Sequence, residues 1–115
     1  MKTSNDFLST LNDVFALFGA IEAKRMFGGY GLYHQGVMFG LVSGNELFLK
    51  TDDESAQTFI EQGLLPFEYS RDGGRVQLSY YAAPEVIFDD PEEAKEWAER
   101  AYEAALRSSS ATRGK

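Results

Sequence analysis

The chain has 115 residues, 43% of them apolar and 25% charged, which is the content of one globular domain with one hydrophobic core. It contains no cysteine, so a disulfide framework and thiolate metal sites are excluded and packing alone must hold the fold. The net charge is −7, and the surplus is uneven: residues 1–50 carry four Lys/Arg and four Asp/Glu, residues 51–115 carry seven and fourteen. An acidic surface works against phosphate neutralisation, so direct nucleic-acid binding by this domain alone is not expected.

The N-terminus, MKTSNDFLSTLNDVF, has its apolar positions interrupted by Asp6, Asn12 and Asp13, so it has no signal-peptide core. No run of the sequence approaches a membrane span, and a cytoplasmic protein without membrane contact is expected. Phe7, Leu11, Val14, Phe15 and Phe18 recur at helical spacing and predict a helix over about 4–18, with a capping box at Thr3 and Asp6 and a stop at Gly19. From Lys24 to Thr51 the texture turns to Gly, Tyr, Phe, Val and Leu, broken at Gln35-Gly36 and Gly44-Asn45. Strands near 25–33, 37–43 and 46–51 are expected, joined as an antiparallel meander.

Thr51 and Glu54 have capping-box spacing and open a short helix, with Phe59 and Ile60 on its buried side and Gly63 at its end. A second hairpin follows, Phe67–Arg71 and Arg75–Tyr81 about the turn Asp72-Gly73-Gly74; Val76, Leu78 and Tyr80 alternate with Arg75, Gln77 and Ser79, which leaves one face wet. Asp90-Pro91-Glu92-Glu93 starts the last helix with an N-cap acid, a proline at the first helical position and acids at the positive end of the dipole. Ala94, Trp97, Ala98, Ala101, Tyr102 and Ala105 form its apolar stripe, opposite Glu96, Glu99, Arg100 and Glu103. After Arg107 the polar SSSATRGK is expected to fray, so residues 1–107 are read as one domain and 108–115 as a tail. The order is α-β-β-β-α-β-β-α: an α+β domain with a five-stranded antiparallel sheet and three helices.

Candidate chemistry is sparse. Gly28-Gly29-Tyr30-Gly31 runs on into a strand rather than a helix and lacks a following Lys-Ser/Thr, so its glycines are read as letting a strand bend or a neighbour pack closely and not as a phosphate cradle. His34 is the single histidine, at a predicted turn, and reads as an exposed bystander. Asp52-Asp53-Glu54 and Asp89-Asp90 stand where helices begin, which explains them as caps; the alternating ligands of a calcium loop are missing. GxSxG, HExxH and CxxC are absent, and catalysis would require Arg25, Lys50, His34 or the tyrosines to converge. No enzyme activity, metal or cofactor is expected. The run Val37-Met38-Phe39-Gly40-Leu41-Val42 has no polar side chain on either face and should be buried on both, either as the central strand of a sheet the chain covers fully or with a second subunit or another domain over the remaining apolar surface.

These residues also carry a family resemblance. Arg25-Met26-Phe27-Gly28-Gly29-Tyr30-Gly31-Leu32-Tyr33, Gly36–Val42, Leu47–Asp52, Pro66–Tyr69, Leu78–Tyr81 with Pro84-Glu85, and the last helix with Trp97-Ala98 resemble, in order, the N-terminal domain of the TfoX/Sxy family of competence regulators. The resemblance implies a secretion-chaperone-like α+β fold and a coactivator role in transcription of competence and DNA-uptake genes, beside a DNA-bound transcription factor. It supplies no catalytic residues; full-length members are similar here and continue into a second, helical domain. Arg25, Met26, Phe27, Gly28, Gly29, Tyr30 and Gly31 are the candidate partner-binding residues. Expected partners are a transcription factor or the transcription machinery, with a homodimer as a further expectation. The alternative reading is a small-molecule or peptide binding module unrelated to competence.

Overall fold

In a computed structural model the structure describes residues 5–26, 28–71 and 73–113. The first helix, α1 (Asn5–Val14), buries Leu11 completely and half-buries Phe7 and Val14, with Phe15 buried and Phe18 half-buried in the turn that follows it. It ends four residues before the apolar pattern does. The amides of Ala16 and Phe18 bond back to the carbonyls of Asp13 and Phe15 in tight i−3 turns, so Phe18 reaches the core from a turn and not from the helix. Thr3, of the expected capping box, lies outside the described residues.

Six strands follow where five were expected. The stretch read as one strand over 25–33 is a hairpin of β1 (Glu22–Met26) and β2 (Gly29–His34), paired antiparallel with Met26 opposite Gly29. Gly28 has φ of +77°, which reverses the chain where the sequence suggested only a bend. β3 (Val37–Ser43) and β4 (Glu46–Lys50) extend the meander, then α2 (Asp53–Glu61), β5 (Pro66–Arg71), β6 (Gly74–Ala82), a short 3₁₀ turn over Glu85–Phe88 and α3 (Pro91–Arg113). The single antiparallel sheet has the order β1-β2-β3-β4-β6-β5. The α+β class and the three helices stand as expected.

The caps shift by one residue or hold. α2 is capped by Asp52, whose carboxylate accepts from the Ser55 amide at 2.9 Å while the Ser55 hydroxyl accepts from the Asp52 amide. Thr51, expected in that role, is buried and gives its amide and hydroxyl to the Ser79 carbonyl, tying β4 to β6. Ile60 is half-exposed: it stands about 100° round the helix from buried Phe59 and faces away from the sheet. Asp90 caps α3 as expected, accepting from the amides of Glu92 and Glu93. That helix continues to Arg113, beyond the stripe that predicted it.

One core joins all of these helices to one face of the sheet. Leu11 from α1, Phe15 from the turn after it, Phe59 from α2 and Trp97, Ala98 and Ala101 from α3 pack with Leu32, Val42, Leu47 and Leu49. The register puts these four strand residues on the same side, since Leu32 pairs with Gly40, Gly40 with Leu49 and Val42 with Leu47. Trp97 stands edge-on to Phe59, with ring centroids 5.0 Å apart, and donates its indole N–H to Glu93 at 3.1 Å. The alanines of α3 let the helix axis approach the sheet closely.

Candidate functional site: the helix-free face of the sheet

Strand alternation sends the other half of the side chains to the opposite face, away from the core where the described helices pack. Lys24 and Met26 of β1, Gly29, Gly31 and Tyr33 of β2, Met38 and Leu41 of β3, and Phe48 and Lys50 of β4 share that side by register. Leu41 and Phe48 pair directly across β3 and β4 and are only 4% and 8% exposed. Burial of the apolar strand on both sides is therefore realised, and described residues of the sheet itself supply part of the second cover.

Two devices provide that cover. Gly31 leaves a gap in which Met26 and Met38 meet; a Cβ there would stand 2.8 Å from one sulfur and 3.1 Å from the other. At the other end the β5–β6 hairpin is irregular: Pro66 pairs with Tyr81 but Glu68 with Gln77, so extra β6 residues bulge out near Leu78. Phe67 stands edge-on to Phe48, centroids 5.0 Å apart, and Leu78 reaches the same pocket as Met26. β1 and β5 are the two edges of a six-stranded sheet, about 24 Å apart if flat. Residues of both edges line one pocket, so the sheet and its bent hairpin curl round the helix-free face.

The curl leaves a cavity of about 110 Å³ walled by Met26, Gly29, Leu41, Ser43, Phe67 and Leu78. Beside it, sharing Ser43 and Phe67, lies a wider, shallow groove of about 590 Å³ that includes Phe48, Leu65 and Pro66, with Glu46 and Glu68 at its margin. Leu65 is 72% exposed.

A polar row crosses the same face two to three residues further along the strands. Tyr33 is opposite Met38, and Lys50 is opposite Tyr80. The Lys24 ammonium lies 4.7 Å from the Tyr33 ring centre and the Lys50 ammonium 5.3 Å from that of Tyr80. Lys50 also donates to the Ser79 hydroxyl at 2.7 Å. Burial lowers the Lys50 pKa, an effect that Asp52 opposes. Burial and the neighbouring Tyr33 phenol push Tyr80 up to about 12, so its hydroxyl remains a donor.

The candidate residues Arg25–Gly31 divide over this hairpin. Met26, Gly29 and Gly31 contribute to the helix-free face, whereas Arg25 pairs with Tyr30 on the other side of the ribbon, Arg25 exposed and Tyr30 packed against the core. Gly28 forms the turn, and Phe27 lies outside the described residues. Of the groups whose convergence catalysis would require, Lys50 meets Tyr80, while Arg25 and His34 stand elsewhere.

His34 is not an exposed bystander. Its ring lies 4.5 Å from that of Phe18 and 5.0 Å from that of Tyr102, and Nδ1 is 2.7 Å from the Ala20 carbonyl, which only accepts, so Nδ1 carries the proton. It fastens the turn after α1 to β2 and α3. The reason it escaped the sequence reading is that both aromatic neighbours come from distant segments. The Lys24–Tyr33 and Lys50–Tyr80 pairs escaped likewise, because their register depends on a turn at Gly28 and on the β4–β6 crossover.

Among the described residues, no group of three or more His, Asp and Glu is placed to hold a metal ion, and no helix is long and apolar enough to cross a membrane. In class the molecule is an α+β domain with a six-stranded antiparallel sheet, helices on one face and a partly filled apolar surface on the other. Residues 13–105 match the family described as the TfoX N-terminal domain, and the chain belongs to that family. It is 29% identical over 107 residues to Protein Sxy of Escherichia coli (strain K12), an alignment that covers 93% of this chain and 48% of that protein. The chain thus spans about half the length of the curated relative it matches.

Proposed function

We propose that this domain is a non-enzymatic, coactivator-type module in the transcription of competence and DNA-uptake genes, working through protein contacts. The observation that carries this reading is the apolar pocket and adjoining groove on a sheet face that none of the described helices covers. Membership of a family of competence regulators supplies the regulatory context. The contact surface we propose runs over the β1–β2 hairpin, with Met26, Gly29 and Gly31 on the pocket side and Arg25 on the outer side. The partner is a transcription factor or the transcription machinery, and a net charge of −7 supports protein rather than direct nucleic-acid contact.

The small-molecule alternative is less well supported. The pocket of about 110 Å³ falls below the roughly 300–1,000 Å³ usual for such ligands, and the larger groove is too shallow to enclose one. A thermal-shift screen checks it, because a ligand at 100 times its Kd adds about 2.7 kcal/mol of stability.

The test is a reporter fused to the promoter of a DNA-uptake gene, in cells expressing the wild-type chain or its Arg25→Glu or Met26→Asp variant, together with pull-downs on purified RNA polymerase and transcription factors. Expected are higher reporter transcript with wild type and reduced transcript and capture with Met26→Asp. A silent reporter and no capture by the wild type would overturn the reading. Equal capture by both variants would remove the hairpin from the contact surface.

A further inference from the structure

The helix-free face has a polarity of its own. Although the chain is acidic as a whole, the Lys24 and Lys50 ammonium groups lie over tyrosine rings with no carboxylate of the described residues within 4 Å, while Asp52 acts on Lys50 from farther off. Glu22 shares the face at the outer edge, opposite Tyr33, and is exposed. Glu46 and Glu68 border the groove at the far end, on the other side of the pocket. An apolar cavity thus has two ammonium groups and two phenols on one side, with Glu22 at the outer edge of that side, and Glu46 and Glu68 on the other. Its volume of about 110 Å³ suits one apolar side chain. Met26 in the pocket wall is two residues from Lys24, and Leu41 stands level with Lys24 two strands away, so cavity and Lys24 are about 7–10 Å apart.

We infer that this face binds a peptide segment carrying one large apolar residue with an aspartate or glutamate two residues away, the apolar side chain seated among Met26, Leu41 and Leu78 and the carboxylate between Lys24, Lys50 and the Tyr33 and Tyr80 hydroxyls. The occupant is chosen by charge: the lysine–tyrosine row attracts a carboxylate, and Glu46 at the far end of the groove repels one, so the segment has one favoured direction. In an extended segment, residues i and i+2 lie on one face about 7 Å apart, which matches the spacing of cavity and Lys24. Desolvation of the Lys50 ammonium favours an anion beside it. The inference rests on the protein-contact reading above and adds the chemistry of the partner to it.

The experiment is selection of a displayed random heptapeptide library on the immobilised 115-residue chain, followed by fluorescence-polarisation titration of the enriched peptides against wild type, Lys24→Gln and Lys24→Gln/Lys50→Gln. Expected is enrichment of a large apolar residue with Asp or Glu two positions away, and affinity about tenfold weaker for the double variant, or 1.4 kcal/mol. Lys24 is exposed and its variant retains the fold, which thermal melting verifies; it should show an intermediate loss. Enriched peptides without an acid, affinities indifferent to both lysines, or no enrichment would overturn the inference. Such an outcome beside an active reporter would leave the regulatory reading standing with a different surface; a clear peptide preference beside a silent reporter would do the reverse.

Discussion

Asp52 does two jobs with one carboxylate. It caps α2 through the Ser55 amide and receives the Arg107 guanidinium at 2.6 and 3.1 Å, so the start of α2 is fastened to the far part of α3. The Arg107 hydrogen bonds foremost, with the cap bonds, hold its pKa well below the ordinary carboxylate value. A group with a depressed folded pKa adds stability above its unfolded pKa of about 4, and that contribution drains away as pH falls toward the folded value. Asp52→Asn keeps a capping acceptor and loses the ion pair, for a cost below about 1 kcal/mol at neutral pH, since Arg107 is exposed. Asp52→Ala loses both, for about 1–2 kcal/mol. Urea titrations at pH 7 and pH 3 check this: the gap between wild type and Asp52→Asn should narrow at the lower pH, and Asp52→Ala should keep the part of its deficit that comes from the lost cap.

The same residue shows how far sequence reaches at this scale. That an acid near 52 caps a helix was legible, because the capping pattern is local. That Asp52 rather than Thr51 takes the role was not, since Thr51 is claimed by the Ser79 carbonyl 28 residues away.

Among the elements, the β1–β2 hairpin has two glycines with different duties. A Cβ on Gly29 would collide with the Val42 carbonyl oxygen of β3, which is backbone and has nowhere to go. A Cβ on Gly31 would meet only the ends of Met26 and Met38, which can rotate aside. Gly29→Ala should therefore cost about 2–3 kcal/mol by forcing β2 off β3, and Gly31→Ala less than about 1 kcal/mol. Chemical denaturation of the two variants side by side checks the order; equal costs would contradict it. On the helical side, Trp97→Ala removes the ring that fills the space beside Phe59 and should cost about 3–5 kcal/mol. Arg100, 4.6 Å above the indole, covers that ring from outside and is no substitute for it.

For the whole molecule, helices at both ends of the chain and the middle of the sheet meet in one core, so they should unfold together. Trp97 fluorescence and far-UV circular dichroism should give coincident urea transitions, and a separated helical transition would show that α3 unfolds by itself. The homodimer expectation belongs to this scale too. Light scattering at micromolar concentration distinguishes a pair of chains joined through the helix-free face from a monomer with that face free for another protein.

By itself the sequence determined the α+β class, the amphipathic sides of α1 and α3, the Asp90 cap and the presence of a strand too apolar to face water. Each follows from spacing within a dozen residues, where side-chain period and capping chemistry act. Tertiary structure decided the sixth strand, the place of His34 between Phe18 and Tyr102, and the meeting of Lys24, Tyr33, Lys50 and Tyr80 beside an apolar cavity. Those depend on one glycine with positive φ, on a bulged hairpin and on pairing between strands thirty residues apart, and registers of that kind are settled by packing across the sheet, not by any stretch of neighbouring residues.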